Sequence, residues 1–269
     1  MGAGVDSMLA DPTLPRHLPL LRVIDPLMAQ RMATWVLWGV INAQRRCDAY
    51  WTAQRDARWD KSIENFRNID NSELGIGVMG AGVMGGAVVD VLTKLEYTNI
   101  RTWTRRPRSS STCTGTTTTT TTTTTGIQSF SGSAKSPELL EFVSACDVLI
   151  CLLPLTPETR GILNKDVFNA MPPGSTVINA ARGGHCVEAD LLAALNEGHL
   201  GGAILDVFET EPLPASSSLW THPRVRVFPH VSSMTNIETA VEQMLENREA
   251  VLEGREVQRE LVVDWDAGY

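Results

Sequence analysis

The chain lacks the features of a secreted, membrane-bound or nucleic-acid-binding protein. Its five cysteines form no CxxC pair and have no framework spacing, which is typical of reduced thiols and predicts neither a disulfide nor a metal site. The net charge of -8 disfavours nucleic acid or a membrane surface as a partner, because phosphate-rich partners favour a basic face. No apolar run approaches the length of a membrane span, and no signal peptide follows Met1. We therefore expect a cytoplasmic protein.

The chain does have the composition of a globular protein, with 43% hydrophobic and 20% charged residues among 269. Helical spacing of apolar residues from Pro26 to Arg46 predicts a long helix. From Leu74 onward, short apolar runs alternate with helical stretches, which predicts an α/β fold, a doubly wound parallel sheet with helices outside. The predicted strands cover residues 76–79, 100–103, 148–153, 176–178, 203–205 and 225–228.

Two further local patterns divide the chain. Helix starts are predicted at three capping sequences, Ser136-Pro137, Thr156-Pro157 and Asn164-Lys165. Residues 109–126 are of low complexity, with unbroken threonine from 116 to 125 and therefore no face to bury. Since surface loops accept extra residues at little cost, we predict a disordered surface insertion there.

A glycine-rich turn between a predicted strand and a predicted helix is the most informative segment. In it, Gly80 permits a tight bend, Gly82 lets a pyrophosphate approach the backbone, and Gly85 lets the helix pack near the sheet. The free N–H groups at the helix start would face the phosphates. The turn therefore predicts a bound nicotinamide dinucleotide, and its residues are Gly80, Ala81, Gly82, Val83, Met84 and Gly85.

The residues after the second predicted strand indicate which dinucleotide is bound. An Asp or Glu that would bind the adenosine ribose hydroxyls is missing there, and the chain reads Thr104-Arg105-Arg106 instead. Arginine offers paired donors to a 2′-phosphate, which an acid would repel. We predict NADP(H), with NAD(H) as the less favoured cofactor. Two solvated loop arginines without a binding role are the alternative interpretation.

Three polar residues follow later strands, at the edge where open α/β sheets bind ligands. The guanidinium of Arg182 is always charged and has paired N–H donors, so it can bind an α-keto acid and polarise its carbonyl. His230 follows a segment that holds Glu211, and a carboxylate beside a histidine favours the imidazolium, a proton donor near neutral pH. The other histidines lack this context and are interpreted as surface or hydrogen-bonded residues: His17, His185, His199 and His222.

The segments that hold Arg182, Glu211 and His230 follow the glycine turn in this order. Together they resemble the D-isomer-specific 2-hydroxyacid dehydrogenase family, most closely its glyoxylate/hydroxypyruvate reductase branch. Further likeness lies in residues 2–6, 48–50, 153–159 and 268–269. The resemblance covers nearly the whole chain apart from the threonine insertion.

The resemblance implies an NADPH-dependent reductase of a small 2-oxo acid, glyoxylate or hydroxypyruvate, that gives glycolate or a D-2-hydroxy acid. Phosphoglycerate, lactate and other substrates stay open. In this family pattern Arg182 binds the keto oxygen and the carboxylate, His230 donates the proton, and Glu211 rather than Glu209 holds His230. Asp206 would bind the nicotinamide carboxamide. Backbone amides near Ala3 and Gly4 would bind the substrate carboxylate, and the implied cofactor contacts also include Leu153, Pro154, Thr159, Ala180, Ala181, Arg182 and His230.

The resemblance also sets expectations for domain organisation. Family members usually begin with a smaller α/β substrate domain, most of which has no counterpart here, and we interpret this as a truncation of the recorded sequence. We expect a remnant of that domain at 1–23 and 236–269, an NADP-binding domain at 24–235, and a homodimer to which Trp35, Trp38 and Trp51 contribute. A dinucleotide-sensing binding protein and an inactive truncated form of the same family are the alternatives.

Overall fold

The computed structural model describes residues 4–23, 25–66, 70–105, 121–122, 127–257 and 261–265. Its strands are β1 (Ile76–Met79), β2 (Ile100–Thr104), β3 (Thr121–Thr122), β4 (Gln128–Ser131), β5 (Val148–Cys151), β6 (Ser175–Asn179), β7 (Leu200–Leu205) and β8 (Val225–Val227). Its helices are α1 (Asp6–Leu9), α2 (Pro26–Gln44), α3 (Cys47–Arg55), α4 (Val83–Lys94), α5 (Pro137–Val143), α6 (Lys165–Ala170), α7 (Glu188–Asn196) and α8 (Ile237–Leu252).

The strands form a single sheet in the order β3-β4-β2-β1-β5-β6-β7-β8. All neighbours pair in parallel except β3, which pairs antiparallel with β4. The predicted doubly wound parallel sheet is confirmed, and each of the six predicted apolar runs contains a strand. The prediction missed β4, whose sequence Gln-Ser-Phe-Ser is mostly polar.

Two residues of the threonine-rich segment contradict the expected disorder. Thr121 and Thr122 form β3 at the sheet edge, where backbone pairing with Ser129 and Gln128 needs no apolar face. The rest of the predicted insertion, 109–120 and 123–126, lies outside the described residues.

Helices cover both faces of the sheet, as the fully buried central strands require. One apolar cluster joins the sheet to α5, α6 and α7 through side chains such as Phe142, Phe168 and Leu191. The other joins it to α2 and α4 on the opposite face, for example through Val36 and Val88. Within the described part of the chain, no helix has both the length and the hydropathy for a bilayer crossing.

The start of α2 is fastened to the segment before α8. Asp25 is buried at 1% exposure, and one of its oxygens accepts the Leu27 N–H at 2.9 Å as the helix cap. Its other oxygen accepts the Asn236 N–H at 3.1 Å. The Met234 carbonyl accepts a hydrogen bond from Arg31 Nη1 at 2.7 Å. The bond between Asp25 and Asn236 crosses the predicted boundary at residue 236, and the domain division itself stays a prediction.

Replacement of Asp25 by alanine is expected to lower the free energy of unfolding by about 2–4 kcal/mol, because a helix cap is lost and the part-buried N–H of Asn236 loses its acceptor. Urea denaturation followed by circular dichroism measures this change. Asp90→Ala is the matched control, since Asp90 lies on the exposed surface of α4. Equal unfolding midpoints for the two variants would contradict the role of Asp25.

Candidate active site

The carboxyl ends of the parallel strands form one edge of the sheet. Because β1 pairs in parallel with both β2 and β5, the loops that leave these three strands start side by side. The same holds for β6, β7 and β8. Strand order reverses between β1 and β5, and in open α/β sheets ligands bind in the crevice at such a switch point. The predicted site residues that the structure describes, apart from Gly4, follow these strands or, in the glycine turn, continue into α4.

The glycine turn links β1 to α4 with a separate geometric reason for each glycine. Gly80 has a φ of +96°, which L side chains rarely adopt. A Cβ on Gly85 would overlap the Gly80 carbonyl oxygen, whereas a Cβ on Gly82 would meet nothing within 4 Å. Open space beside Gly82, directly before the first turn of α4, leaves room for a phosphate to approach backbone N–H groups.

An ion pair crosses the end of β1. Arg105, after β2, places Nη1 3.3 Å from Oε2 of Glu158, in the loop after β5, and β1 lies between these two strands. The side chain of Arg105 is 26% exposed and that of Glu158 is 64% exposed, so water screens the pair. Arg105 thus lies beside the glycine turn, and Arg106 lies outside the described residues.

The loop after β5 is held by its own hydroxyl groups. Thr159 donates from Oγ1 to the Pro154 carbonyl at 2.8 Å, and the same oxygen accepts the Thr156 N–H at 2.9 Å. The prediction of a helix start at Thr156-Pro157 is wrong, since residues 157–161 form turns. The threonines fold the chain locally instead, as Ser and Thr side chains often do in turns. Leu153 is buried beneath this loop.

The loop after β6 holds the backbone of Arg182 firmly. Asn179, the last residue of β6, is fully buried; its Oδ1 accepts the Ala181 N–H at 3.2 Å and its Nδ2 donates to the Arg182 carbonyl at 3.1 Å. Ala180 and Ala181 are also buried. A Cβ on Gly183 would overlap backbone atoms of Phe208. The arginine loop therefore packs directly against the loop after β7.

The loop after β7 brings a carboxylate to the predicted proton donor. His230 Nδ1 lies 2.8 Å from Oε2 of Glu211, and Oε1 of Glu211 accepts the Phe208 N–H at 2.9 Å. Half of the His230 side chain, 47%, is exposed. The backbone N–H of Glu209 donates to the carboxylate of Glu188 at 2.9 Å. The structure thus pairs His230 with Glu211 through Nδ1, and Nε2 takes no part in this pair.

The backbone at His230 has an unusual conformation that Asp206 supports. His230 has a φ of +57°, in the left-handed region. Asp206 is fully buried, its carbonyl accepts the His230 N–H at 2.9 Å, and its carboxylate accepts the N–H groups of Val231 and Ser232 at 2.7 and 3.0 Å. Each carboxylate oxygen has a second lone pair, so the predicted contact with a carboxamide is compatible with these bonds.

The remaining predicted residues are placed less fully. Gly4 precedes α1, Ala3 lies outside the described residues, and their substrate contact stays a prediction. The cysteines that the structure describes are free. Burial raises the pKa of the Cys146 and Cys151 thiols to about 12, so neither supplies a thiolate nucleophile. In the described ranges, no group of three or more potential ligands is suited to a metal ion.

Asn179 and His185 support the site, and the sequence analysis did not select either for it. Both are fully buried polar side chains that contact the Arg182 carbonyl. For Asn179 a signal exists, since a polar residue directly follows the apolar pair Val177-Ile178 at the end of β6. His185 was interpreted as a surface or hydrogen-bonded histidine, and the second description is the correct one, but no spacing in the sequence indicates what it contacts.

Known proteins resemble this chain over most of its length. Residues 37–232 match the family described as D-isomer specific 2-hydroxyacid dehydrogenase, NAD binding domain. Glyoxylate/hydroxypyruvate reductase A of Serratia proteamaculans (strain 568) is 40% identical over 252 residues, which are 92% of this chain and 74% of that relative.

Solved structures give the same result. A D-isomer specific 2-hydroxyacid dehydrogenase from Xanthobacter autotrophicus Py2, in complex with NADPH and MES, superposes with a TM-score of 0.86 at 36% identity and covers 99% of this chain and 100% of that chain. NADPH-dependent glyoxylate/hydroxypyruvate reductase from Sinorhizobium meliloti, in complex with NADP and sulfate, gives 0.85 at 33% identity, with coverage of 100% and 78%.

The family resemblance seen in the sequence is therefore confirmed, both over most of the chain and in three dimensions. One edge of the sheet carries the glycine turn, the loop of Arg182 and the His230–Glu211 pair. Their order along the chain is the one that the resemblance implied. The chain belongs to the D-isomer specific 2-hydroxyacid dehydrogenase family.

Proposed function

We propose that this protein uses NADPH to reduce a small 2-oxo acid, glyoxylate or hydroxypyruvate, to glycolate or a D-2-hydroxy acid. The observation that carries the proposal is the pairing of His230 with Glu211 on the loop that packs against the Arg182 loop. A proton donor and a carboxylate-binding cation thereby stand on the sheet edge that holds the dinucleotide turn. The relatives from Serratia proteamaculans and Sinorhizobium meliloti are named glyoxylate/hydroxypyruvate reductases.

The residues present fit the cofactor. The space beside Gly82 and the first turn of α4 suit a pyrophosphate, and Arg105 offers a charge to a 2′-phosphate. Asp206 retains lone pairs toward a carboxamide, and Leu153, Ala180 and Ala181 form apolar walls at the strand ends. When bound, the reduced nicotinamide supplies a hydride to the carbonyl carbon of the substrate.

The side chains of the chain account for the rest of the reaction. Arg182 binds the substrate carboxylate and polarises the keto oxygen, where negative charge develops. His230 donates the proton from Nε2 to that oxygen, and Glu211 on Nδ1 stabilises the imidazolium before transfer and fixes the ring orientation. Asp206 holds the histidine backbone in place through the N–H groups of the following residues.

The proposal is tested by mixing the purified protein with NADPH and glyoxylate or hydroxypyruvate and following the loss of absorbance at the nicotinamide band. Turnover with either acid supports it. NADPH binding without turnover of any 2-oxo acid would contradict it and would favour the dinucleotide-sensing alternative.

NADPH preference is expected to depend on Arg105. Substitution by glutamate should weaken NADPH relative to NADH by about 10-fold or more, because a charge-assisted bond to phosphate is lost and a repulsion is added. The ratio of kcat/KM values for the two cofactors measures this. Glu158→Gln, the control at the other end of the ion pair, should leave NADPH preferred. An unchanged ratio in Arg105→Glu would place the 2′-phosphate elsewhere.

The proposed assembly is a homodimer in the cytoplasm, with the substrate-domain remnant at 1–23 and 236–269 outside the NADP-binding domain. Free cysteines support a reducing compartment. Trp51 is 42% and Trp59 is 91% exposed, which supports an interface on α3 and the segment after it. Trp35 and Trp38 instead pack on Phe228, with ring centroids 5.2 and 5.3 Å away. Sedimentation velocity tests the dimer.

A further inference from the structure

His185 is buried directly beneath the two loops that carry the proposed site. It lies in a short 3-10 turn, residues Gly183–His185, just after Arg182, and its side chain has 0% exposure. Nδ1 lies 3.1 Å from the Arg182 carbonyl oxygen, and Nε2 lies 3.2 Å from the Pro154 carbonyl oxygen. The imidazole therefore spans from the loop after β6 to the loop after β5.

Each of these carbonyls belongs to a different part of the site. The Pro154 carbonyl also accepts Thr159 Oγ1, so it organises the loop expected along the cofactor. The Arg182 carbonyl also accepts Asn179 Nδ2 and the His185 N–H, so it fixes the backbone from which the substrate-binding guanidinium extends. Both oxygens are acceptors, and a neutral imidazole donates from only one of its nitrogens, so one of these contacts is a hydrogen bond and the other is close packing. The buried ring sets the distance between the two loops through both contacts.

The backbone around His185 makes the bridge rigid. Its carbonyl accepts the Leu163 N–H at 2.9 Å, and the neighbouring Gly184 carbonyl accepts the Gly161 N–H at 2.9 Å. These two bonds attach the backbone of the His185 segment to residues 161–163.

We infer that His185 is a positioning residue that supports two loops independently, the cofactor loop at Pro154 through Nε2 and the substrate-binding loop at Arg182 through Nδ1. Both ring nitrogens face backbone carbonyls, so the residue acts through these loops and not on a ligand itself. The inference rests on the proposed function for what the two loops bind. Because the two ring nitrogens serve different loops, the two functions of the bridge are separable by substitution.

Two conservative variants each remove one of the two contacts of the His185 ring. Asparagine places its amide nitrogen near the position of Nδ1 and keeps the Arg182 contact, whereas glutamine places its amide nitrogen near Nε2 and keeps the Pro154 contact. His185→Asn should raise the Kd for NADPH by about 5- to 10-fold, because the Pro154 carbonyl loses its buried polar contact with the ring, with kcat nearly unchanged. His185→Gln should lower kcat/KM for glyoxylate by about 10- to 100-fold, because small misplacements of the binding group are costly, with the Kd for NADPH nearly unchanged.

His199→Gln is the matched control. His199 is also a hydrogen-bonded histidine, with Nε2 3.1 Å from the Met171 carbonyl, but it precedes β7, at the edge of the sheet away from the site. Its substitution should change neither parameter by as much as either His185 variant does. Thermal unfolding of all the variants shows whether each is folded.

The inference is overturned if the two His185 variants have the same effects on NADPH binding and on activity. If folded His185→Asn and His185→Gln change the NADPH Kd and kcat/KM to the same extent, or change neither, His185 only fills space. If the wild-type protein does not turn over any 2-oxo acid, the proposed function fails, but the Kd values still decide the inference: weaker NADPH binding in His185→Asn alone supports the bridge, and equal binding in both variants refutes it.

Discussion

Arg182→Ala is expected to lower kcat/KM for glyoxylate by about 10³-fold, while the Kd for NADPH stays close to the wild-type value. The loss of one preorganised donor at a developing oxyanion already costs about 10²- to 10³-fold, and the variant also loses the cation that holds the substrate carboxylate. The loop should keep its shape because its backbone is fixed by the side chains of Asn179 and His185.

Arg182→Lys separates charge from geometry in this experiment. Lysine keeps a positive charge but lacks the planar fork that binds a carboxylate and a carbonyl together, so an activity between those of alanine and arginine is expected. Initial rates at varied glyoxylate give kcat/KM, and fluorescence titration gives the NADPH Kd. An alanine variant with near wild-type kcat/KM would remove Arg182 from the substrate site.

His230→Asn is expected to lower kcat by about 10²- to 10⁴-fold, the usual contribution of a general acid. Asparagine is chosen because it tolerates the left-handed backbone that His230 adopts, so the loss of the proton donor is measured without added strain. NADPH binding should persist. Single-turnover rates with bound NADPH isolate the chemical step from cofactor release.

Glu211→Gln and the double variant test whether the pair acts as a unit. Glutamine can still accept the Phe208 N–H, but it lacks the charge that stabilises the imidazolium. Residues that act together are strongly non-additive, so the double variant should be about as slow as His230→Asn alone. Independent, multiplicative losses would show that Glu211 serves another purpose than His230.

The sequence predicts the framework of the fold because its signals are local. Apolar runs mark the buried strands, and the glycine turn carries its own chemistry at Gly80 and Gly85. Strand β4 has no such signal, since three of its four residues are polar and it contains no apolar run. At Thr156 the sequence has a helix-capping pattern but no helix follows. The Thr156 N–H instead donates to Thr159 Oγ1 within a turn.

The site is predicted only as far as residue types go. Arg182, Glu211 and His230 are chosen by their chemistry and by their position after strands, and the 2.8 Å contact between the last two depends on a loop whose course no local pattern reveals. The supports of the site are harder to predict. Asn179 acts through the Arg182 carbonyl three residues later, and His185 also contacts the Pro154 carbonyl, 31 residues earlier in the chain; neither contact leaves a periodicity to detect.

The left-handed backbone at His230 lowers the stability of the protein, whereas the side chain at this position is needed for the proposed function. Glycine adopts that conformation without the penalty of roughly 1 kcal/mol that a side chain incurs, so random mutation can relieve the strain in a single step. Only a requirement for proton transfer opposes that step. In a lineage released from this requirement, residue 230 should drift toward glycine or asparagine before the rest of the fold changes, which makes the histidine itself a mark of continued selection for catalysis.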